Sequence, residues 1–331
     1  MKKMRIAVIG CGAICPNHIR AIKESKNEIC ALCDILPEAA SGIAERFELG
    51  ELPIYTDYKE MLDCEKPDVV HICTPHYLHP EMCVEALHRD INVLCEKPIA
   101  ISYEGIDMIR EALKSTKAQL GVSFQNRYEA PFKRFKELTA DGVKTAHGTV
   151  VWKRGADYYN SAQWRGTWKY EGGGVMINQA IHTLDMLMYN CGMPKNVIAH
   201  VSTDTHGDFI EVEDTASARF ECENGTVFHI FATNTASATT SARIEAKLES
   251  GNVVLVTANM LLNGERLEFV KSKSGPTDKA VWGNGHAALI SHFYECLENG
   301  EHFPIDLEEA SKAVRLILAM YASNGKKIDI K

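Results

Sequence analysis

The stretch Arg5-Ile6-Ala7-Val8-Ile9-Gly10-Cys11-Gly12-Ala13-Ile14-Cys15 decides the fold. A short apolar run predicts a buried strand at Arg5–Ile9, and the residues around His18–Ser25 predict a helix. Two glycines stand between them. Gly10 permits a tight turn, and Gly12 lets the backbone come close to whatever sits at the helix start. Free N–H groups and the helix dipole favour an anion there, so Gly10, Gly12, Ala13 and Ile14 form a candidate pyrophosphate cradle. The third glycine of the usual pattern is replaced by Cys15, which is still small. Asp34 ends the next predicted strand, Glu28–Asp34, 22 residues beyond Gly12. A carboxylate in that register accepts from ribose hydroxyls and repels a 2′-phosphate, which favours NAD over NADP.

Outward from this loop, strands and helices alternate. Pro37–Phe47 and Asp57–Leu62 are predicted helices. Asp68–Cys73 is a strand, Pro80–Arg89 a helix, Asn92–Cys95 a strand, Tyr103–Ser115 a helix and Gln119–Ser123 a last strand. This is the pattern of a doubly wound parallel sheet, a Rossmann domain, over residues 1–122. From about Phe124 the pattern becomes antiparallel. Asp214–Cys222 and Thr226–Thr233 flank Asn224-Gly225, a hairpin signal. Arg243–Glu249 and Val253–Thr257 flank Ser250-Gly251-Asn252. The expectation for 123–331 is a second α/β domain that binds substrate and carries oligomer contacts. Its open sheet is covered on one face by helices Val175–Tyr189, Ala287–Asn299 and Leu307–Ser323, the last free to pack back on the first domain.

The 331 residues suit two domains, and 45% hydrophobic with 24% charged residues is ordinary for globular proteins. A net charge of −8 argues against a nucleic-acid partner. No apolar run is long enough to span a membrane. The basic start leads only into Ile6–Ile9, so a cytoplasmic protein is expected. The 11 cysteines, an odd number spread over a long chain, are not a disulfide framework. Cys30 and Cys33 fall three apart on a strand and face opposite ways. Cys11 and Cys15 show no nearby partner pair, and buried reduced thiols are expected throughout.

Three further segments fall where ligands bind such sheets, at the carboxyl ends of strands. They are Cys73-Thr74-Pro75-His76-Tyr77-Leu78-His79, Cys95-Glu96-Lys97-Pro98, and Gly172-Gly173-Gly174 running into Asn178-Gln179-Ala180-Ile181-His182-Thr183-Leu184-Asp185. Thr74, Pro75, His79, Glu96, Lys97 and Gln125 are therefore candidate cofactor contacts. Lys97 is the first candidate catalyst: a partly desolvated ammonium can hold a substrate hydroxyl and share its proton. His182 is the candidate base, and Asn178 lies four residues before it, on one helical face. Asp185 is placed to orient the imidazole. Arg127, Trp164 and Arg165 are candidate substrate contacts, tryptophan offering a flat apolar face and arginine several donors. His76, His79 and His182 lack a carboxylate cluster to complete a metal site, so no metal is expected.

Taken together, the glycine loop, the Glu96-Lys97-Pro98 segment and the triple-glycine run leading to His182 and Asp185 resemble the Gfo/Idh/MocA family, the glucose–fructose oxidoreductase and inositol dehydrogenase group. The resemblance runs essentially end to end. It implies a Rossmann domain followed by an open, mostly antiparallel sheet through which homodimers or homotetramers form. It also implies a cis Lys97–Pro98 bond and a Trp164–Arg165 pair near nicotinamide or substrate. Many members carry Asp at the position of Asn178, so direct transfer of inositol specificity is in doubt. The expected activity is NAD-dependent oxidation of a ring hydroxyl of a sugar, sugar derivative or inositol, with Lys97 and His182 serving the same carbinol. Two rivals stand beside it: a glycoside-cleaving enzyme that retains NAD and oxidises transiently, and a non-catalytic NAD and sugar sensor.

Overall fold

The computed structural model describes residues 3–268 and 285–330. They form two compact units. The first holds the described residues of Met1–Gln125 and Lys273–Ser311, and the second those of Asn126–Ser272 and Lys312–Lys331.

In the first unit, β1 (Arg5–Ile9), β2 (Glu28–Cys33), β3 (Ile54–Tyr55), β4 (Val69–Ile72), β5 (Asn92–Cys95) and β6 (Leu120–Val122) make a six-stranded sheet in the order β3-β2-β1-β4-β5-β6. Every pairing is parallel. The crossovers are α1 (Cys15–Glu24), α2 (Pro37–Arg46), α3 (Tyr58–Glu65), α4 (His79–Leu87) and α5 (Tyr103–Leu113). Strand order reverses between β1 and β4, so their carboxyl ends splay and open the crevice where such sheets bind ligands. The central strands are buried on both faces, which is why they read as continuous apolar runs.

The second unit contains α6 (Ala130–Leu138), β7 (Val143–Val151), α7 (Ala156–Tyr159), α8 (Ile181–Cys191), β8 (Pro194–Ser202), β9 (Thr215–Cys222), β10 (Val227–Thr233), β11 (Arg243–Leu248), β12 (Val253–Val256), β13 (Met260–Leu262), β14 (Glu265–Arg266) and, near the end of the chain, β15 (Ile328–Asp329). Nine strands join in the order β14-β13-β12-β11-β7-β10-β9-β8-β15. The sheet is mostly antiparallel, but β10 pairs with β7 in parallel. Helix α8 lies on β7, where Gly148 leaves room for it: a Cβ there would come within 2.7 Å of the Thr183 methyl. No helix among the described residues is long and apolar enough to cross a membrane.

Two expectations are corrected. The chain does not divide by a simple cut at 122/123. Helix α9 (Gly285–Asn299), expected to cover the second sheet, belongs to the first unit. There Phe293 and Phe303 pack against Gly121 of β6, too close for any side chain at that position, and the Tyr294 hydroxyl bonds His71 of β4 at 2.9 Å. Helix α10 (Leu307–Ser323) runs through the boundary at Ser311/Lys312. Cys11 and Cys15 are free, buried and close together. The neighbouring Cys11 thiol, together with burial and nearby Cys73, pushes Cys15 well above the usual thiol range, while Cys11 Sγ donates to the Cys33 carbonyl. Such thiols are poor nucleophiles. Ten of the cysteines are buried; Cys64 is exposed.

Candidate active site

The first unit builds a dinucleotide cradle from its backbone. Gly10 adopts φ +90°, and a Cβ on it would stand 2.8 Å from the carbonyl of Cys73 at the end of β4. The glycine is therefore required by both conformation and space. A Cβ on Gly12 would meet nothing within 4 Å, and Gly12 and Ala13 are exposed while Ile14 is half-buried. The start of α1 has no side-chain cap and no acidic residue in its first turn. Pro16 has no N–H, and the N–H groups of Cys15 and Asn17 turn back on the carbonyls of Gly12 (3.2 Å) and Ile14 (3.0 Å), so the donors open to an external anion are those of the loop residues Gly12, Ala13 and Ile14. These features fit the pyrophosphate of NAD.

Asp34 does two things at once. Its Oδ2 accepts from the Cys11 N–H at 2.7 Å, and its Oδ1 accepts from the Leu36 N–H at 2.9 Å. The carboxylate that sequence assigned to a ribose also ties the glycine loop to β2 and caps the next turn. Beside it, Ile35 is 84% and Leu36 53% exposed. This unburied apolar pair escaped the sequence reading, since an isoleucine after a strand carries no signal of exposure.

At the end of β4, Thr74 faces Gly10, its methyl 3.0 Å from where a Cβ would lie. Its hydroxyl donates to the Met82 sulfur at 3.3 Å. Pro75 leads into a single turn at His76–Leu78. His79 is not a cofactor ligand. It is fully buried, and its ring bridges the carbonyls of Pro98 (2.7 Å) and Thr74 (2.8 Å), bracing the ends of β4 and β5 against each other.

Glu96 is corrected in the same sense. Its side chain turns inward, where Oε1 meets His18 Nε2 at 2.9 Å and His286 Nε2 at 3.3 Å. Burial pushes its carboxyl up, but the bond from His18 and the close approach of His286 outweigh that and hold it well below the usual range. Burial likewise keeps His18 and His71 below the usual histidine value, hence neutral near pH 7. The proton positions follow: the Tyr294 hydroxyl donates to His71 Nε2, His71 Nδ1 donates to His18 Nδ1 at 2.9 Å, and His18 Nε2 donates to ionised Glu96. His18, Glu96 and His286 are the one metal-capable grouping among the described residues, away from the histidines that sequence considered. The 2.9 Å separation of His18 and Glu96 is that of a hydrogen bond. Lys97 follows directly. It is half-buried, and its bond to Pro98 is cis, as the resemblance implied. Gln125 is buried just beyond β6.

The second unit places the remaining candidates. Asn178 lies in a π-helical turn, Met176–Ala180, that runs into α8, so the expected helix from Val175 begins with a widened turn. Such turns are frequent at functional sites. The triple glycine has a steric cause. A Cβ on Gly174 would lie 1.9 Å from the Glu213 carbonyl oxygen, and one on Gly173, at φ +147°, 2.0 Å from the Tyr321 hydroxyl. Glu213 pins this run. Its carboxylate accepts from the N–H of Gly174 (2.8 Å) and Met176 (3.0 Å) and from the Tyr321 hydroxyl (2.9 Å). Burial pushes its carboxyl up to about 7 against those donors.

Asn178 Nδ2 donates to Glu171 and, at 3.0 Å, to the Tyr158 hydroxyl. That hydroxyl also receives Arg165 and, at 3.3 Å, Gln179. The Arg165 guanidinium lies 4.3 Å from the Tyr158 ring centre and 4.6 Å from that of Trp164, so one face of the tryptophan expected to receive a sugar is covered by its neighbour. Arg127 is a correction. It grips Asp185 with two bonds of 2.8 and 2.6 Å, both side chains buried, and stacks on Tyr189. It is a structural partner rather than a substrate hand, and the Asp185 expected to orient His182 has its carboxylate on that arginine. His182 is half-buried in the first turn of α8. Glu171, Glu213 and Tyr158 were missed. Their importance lies in what they touch, and no local pattern announces it.

A parallel sheet with this strand order and this glycine–aspartate loop defines a dinucleotide-binding oxidoreductase fold. Residues 4–124 match "Oxidoreductase family, NAD-binding Rossmann fold" and residues 132–254 match "GFO/IDH/MocA C-terminal domain". The chain belongs to the Gfo/Idh/MocA oxidoreductase family, with an NAD-binding Rossmann domain. It is 30% identical over 241 residues to the D-glucoside 3-dehydrogenase of Escherichia coli K12, covering 67% of this chain and 68% of that protein. It is 30% identical over 250 residues to a 2,7-anhydro-N-acetylneuraminate hydratase of Mediterraneibacter gnavus, covering 69% of this chain and 63% of that one. The WlbA dehydrogenase of Bordetella pertussis, solved with NADH and UDP-GlcNAcA, superposes with a TM-score of 0.85 at 26% identity over 100% of this chain and 99% of that chain.

Proposed function

We propose that this protein oxidises a secondary ring hydroxyl of a sugar or sugar derivative to a ketone, with NAD as hydride acceptor. The observation that carries the reading is the open Gly12 loop beneath an uncapped helix start with Asp34 in register, in a chain whose relative at 30% identity is a glucoside 3-dehydrogenase. Bound NAD would supply the electrophilic nicotinamide carbon; the rest of the chemistry belongs to the protein. Gly10, Gly12, Ala13 and Ile14 would hold the pyrophosphate, Asp34 the adenosine ribose, and Ile35 with Leu36 one face of adenine. Thr74, Pro75, Lys97 and Gln125 would line the nicotinamide end. Lys97 would hold the reacting hydroxyl and lower its pKa, and His182 would take its proton. Asn178, its amide nitrogen committed to Glu171 and Tyr158, would offer a substrate hydroxyl its oxygen. Trp164 and Arg165 would flank the sugar. The protein is proposed to work in the cytoplasm as a homo-oligomer joined through the open face of the second sheet, where Arg219, Phe231 and Glu245 point outward.

A second reading, transient oxidation that permits elimination while NAD is retained, is favoured by the likeness to the hydratase. Sugars, glycosides, inositols and nucleotide-sugars incubated with NAD separate the two: net NADH accumulates only in the first. On the best substrate, Lys97→Ala and His182→Ala are each expected to lower kcat by about 10²- to 10⁴-fold. Full rates in both variants would reject these roles.

A further inference from the structure

The second unit carries a cluster of cations and donors that no acid among the described residues pairs with. Arg154, just beyond β7, lies 4.8 Å from the Trp152 ring centre and 4.9 Å from that of Tyr158. Arg165 lies over the same Tyr158 ring and over Trp164. Among the described residues neither guanidinium has a carboxylate within ion-pair distance; Arg154 donates only to the Lys153 carbonyl, and Arg165 to the Tyr158 hydroxyl. By contrast Arg5, Arg89, Arg110, Arg127 and Arg243 are all paired. Three N–H donors of the cluster are buried without an acceptor: Trp152 Nε1, Arg154 Nε and Arg165 Nε. Leaving a buried donor unmatched is costly, so three in one place point to acceptors from outside the chain, water or ligand oxygen. The nearby carboxylate of Glu171 is already occupied by the Gly166 N–H and by Asn178.

We propose that Trp152, Arg154, Tyr158 and Arg165 receive an anionic oxyacid group of the substrate, so that the enzyme acts on an acidic sugar. This rests on the sugar-dehydrogenase reading, whose substrate class it narrows. Guanidinium forks match carboxylate and phosphate oxygens in two-point bonds. Position argues for an acid carried directly on the sugar. Arg165 and Asn178 both bond the Tyr158 hydroxyl, so the cation stands two hydrogen bonds from the residue assigned to a substrate hydroxyl, about the width of one pyranose ring. Stacking on Tyr158 and Trp164 holds the guanidiniums in place before the ligand arrives.

The test compares methyl β-D-glucuronide and glucose 6-phosphate with neutral methyl β-D-glucoside and glucose. NADH formation is measured with NAD, and binding by tryptophan fluorescence in the presence of NADH. One acid is expected to exceed its neutral counterpart by about tenfold or more in kcat/KM or affinity, as a charge-assisted bond provides, and which acid wins separates carboxylate from phosphate. Arg154→Met is expected to remove most of that preference through KM, while Arg154→Lys keeps part of it. Neutral sugars handled as well as the acids, or an Arg154→Met variant that weakens both kinds equally, would overturn the proposal. Tight, Arg154-dependent binding of an acid without NADH formation would leave the anion site standing and remove the dehydrogenase reading. NADH formation without preference for an acid would do the reverse.

Discussion

Replacing Glu213 by glutamine should change how stability depends on pH, and the sign is fixed by the structure. The Glu213 carboxyl is fully buried, and burial lifts it from the usual 4.5 to about 7 despite the N–H groups of Met176 and Gly174 and the Tyr321 hydroxyl. A folded-state pKa above the unfolded value means that the native protein binds the proton more tightly. That contribution is complete below about pH 4.5 and is lost as pH rises through 7. The interval is about 2.5 units, which at 1.36 kcal/mol per unit is about 3 kcal/mol. Glutamine keeps the shape but has one acceptor oxygen in place of two, so it loses a bond at every pH. That offset does not vary with pH and drops out of the comparison. Urea unfolding of both proteins from pH 4.5 to 8 gives the stability difference at each pH. The advantage of the wild type over Glu213→Gln should shrink by about 3 kcal/mol across that range, most of it before pH 7. A flat difference would mean that the carboxyl titrates alike in both states. A difference that grows with pH would mean that the N–H bonds outweigh burial and that the group is an ordinary stabilised carboxylate.

Two further outcomes follow from the cradle and the glycine run. Gly174→Ala puts a methyl 1.9 Å from the Glu213 carbonyl oxygen, a backbone atom that cannot swing aside. It should cost about 3 kcal/mol or more, at the upper end of overpacking, and a thermal melt showing a loss under about 1 kcal/mol would contradict the packing. Asp34→Ala frees the Cys11 and Leu36 N–H groups and removes the charge at the proposed ribose site. KM for NAD should rise about tenfold or more, with NADP gaining relative to NAD; an unchanged cofactor preference would leave Asp34 only its role in bracing the loop.

What was legible in the sequence was local. Strands β1 and β5 fall where apolar runs between glycine and proline signals put them, and Asn224-Gly225 does form the β9–β10 hairpin. Strands β7 and β8 passed without assignment because their pattern is interrupted. Gly148 weakens β7 as a strand former, yet the close approach of α8 requires it. Site residues were legible as types but not as partners. Arg127 and Asp185 lie 58 residues apart, and Glu213 acts on a glycine run 37 to 39 residues before it. Likewise His79 and Glu96 sit in the segments that mark the ligand crevice, but their side chains brace it from behind. A motif names the place; only packing decides which members face outward.

Asn178 shows how far that distinction reaches. Against the family resemblance it is a departure, an amide where many members carry a carboxylate. Within this chain the amide follows from its surroundings. Glu171, 1% exposed, has one carboxylate oxygen on the Gly166 N–H and the other against Asn178 Nδ2. An aspartate at 178 would set a second carboxylate in hydrogen-bond contact with a buried one, and two such groups cannot both ionise. It would also lose the donor to Tyr158, leaving that phenol to Arg165 and Gln179. Asparagine satisfies an acid on one side and a phenol on the other with the two protons of a single nitrogen. The loss of charge at 178 is thus linked to a carboxylate at 171 and a phenol at 158, and the identity of this residue reads as part of a hydrogen-bonded arrangement rather than as a lost catalytic acid.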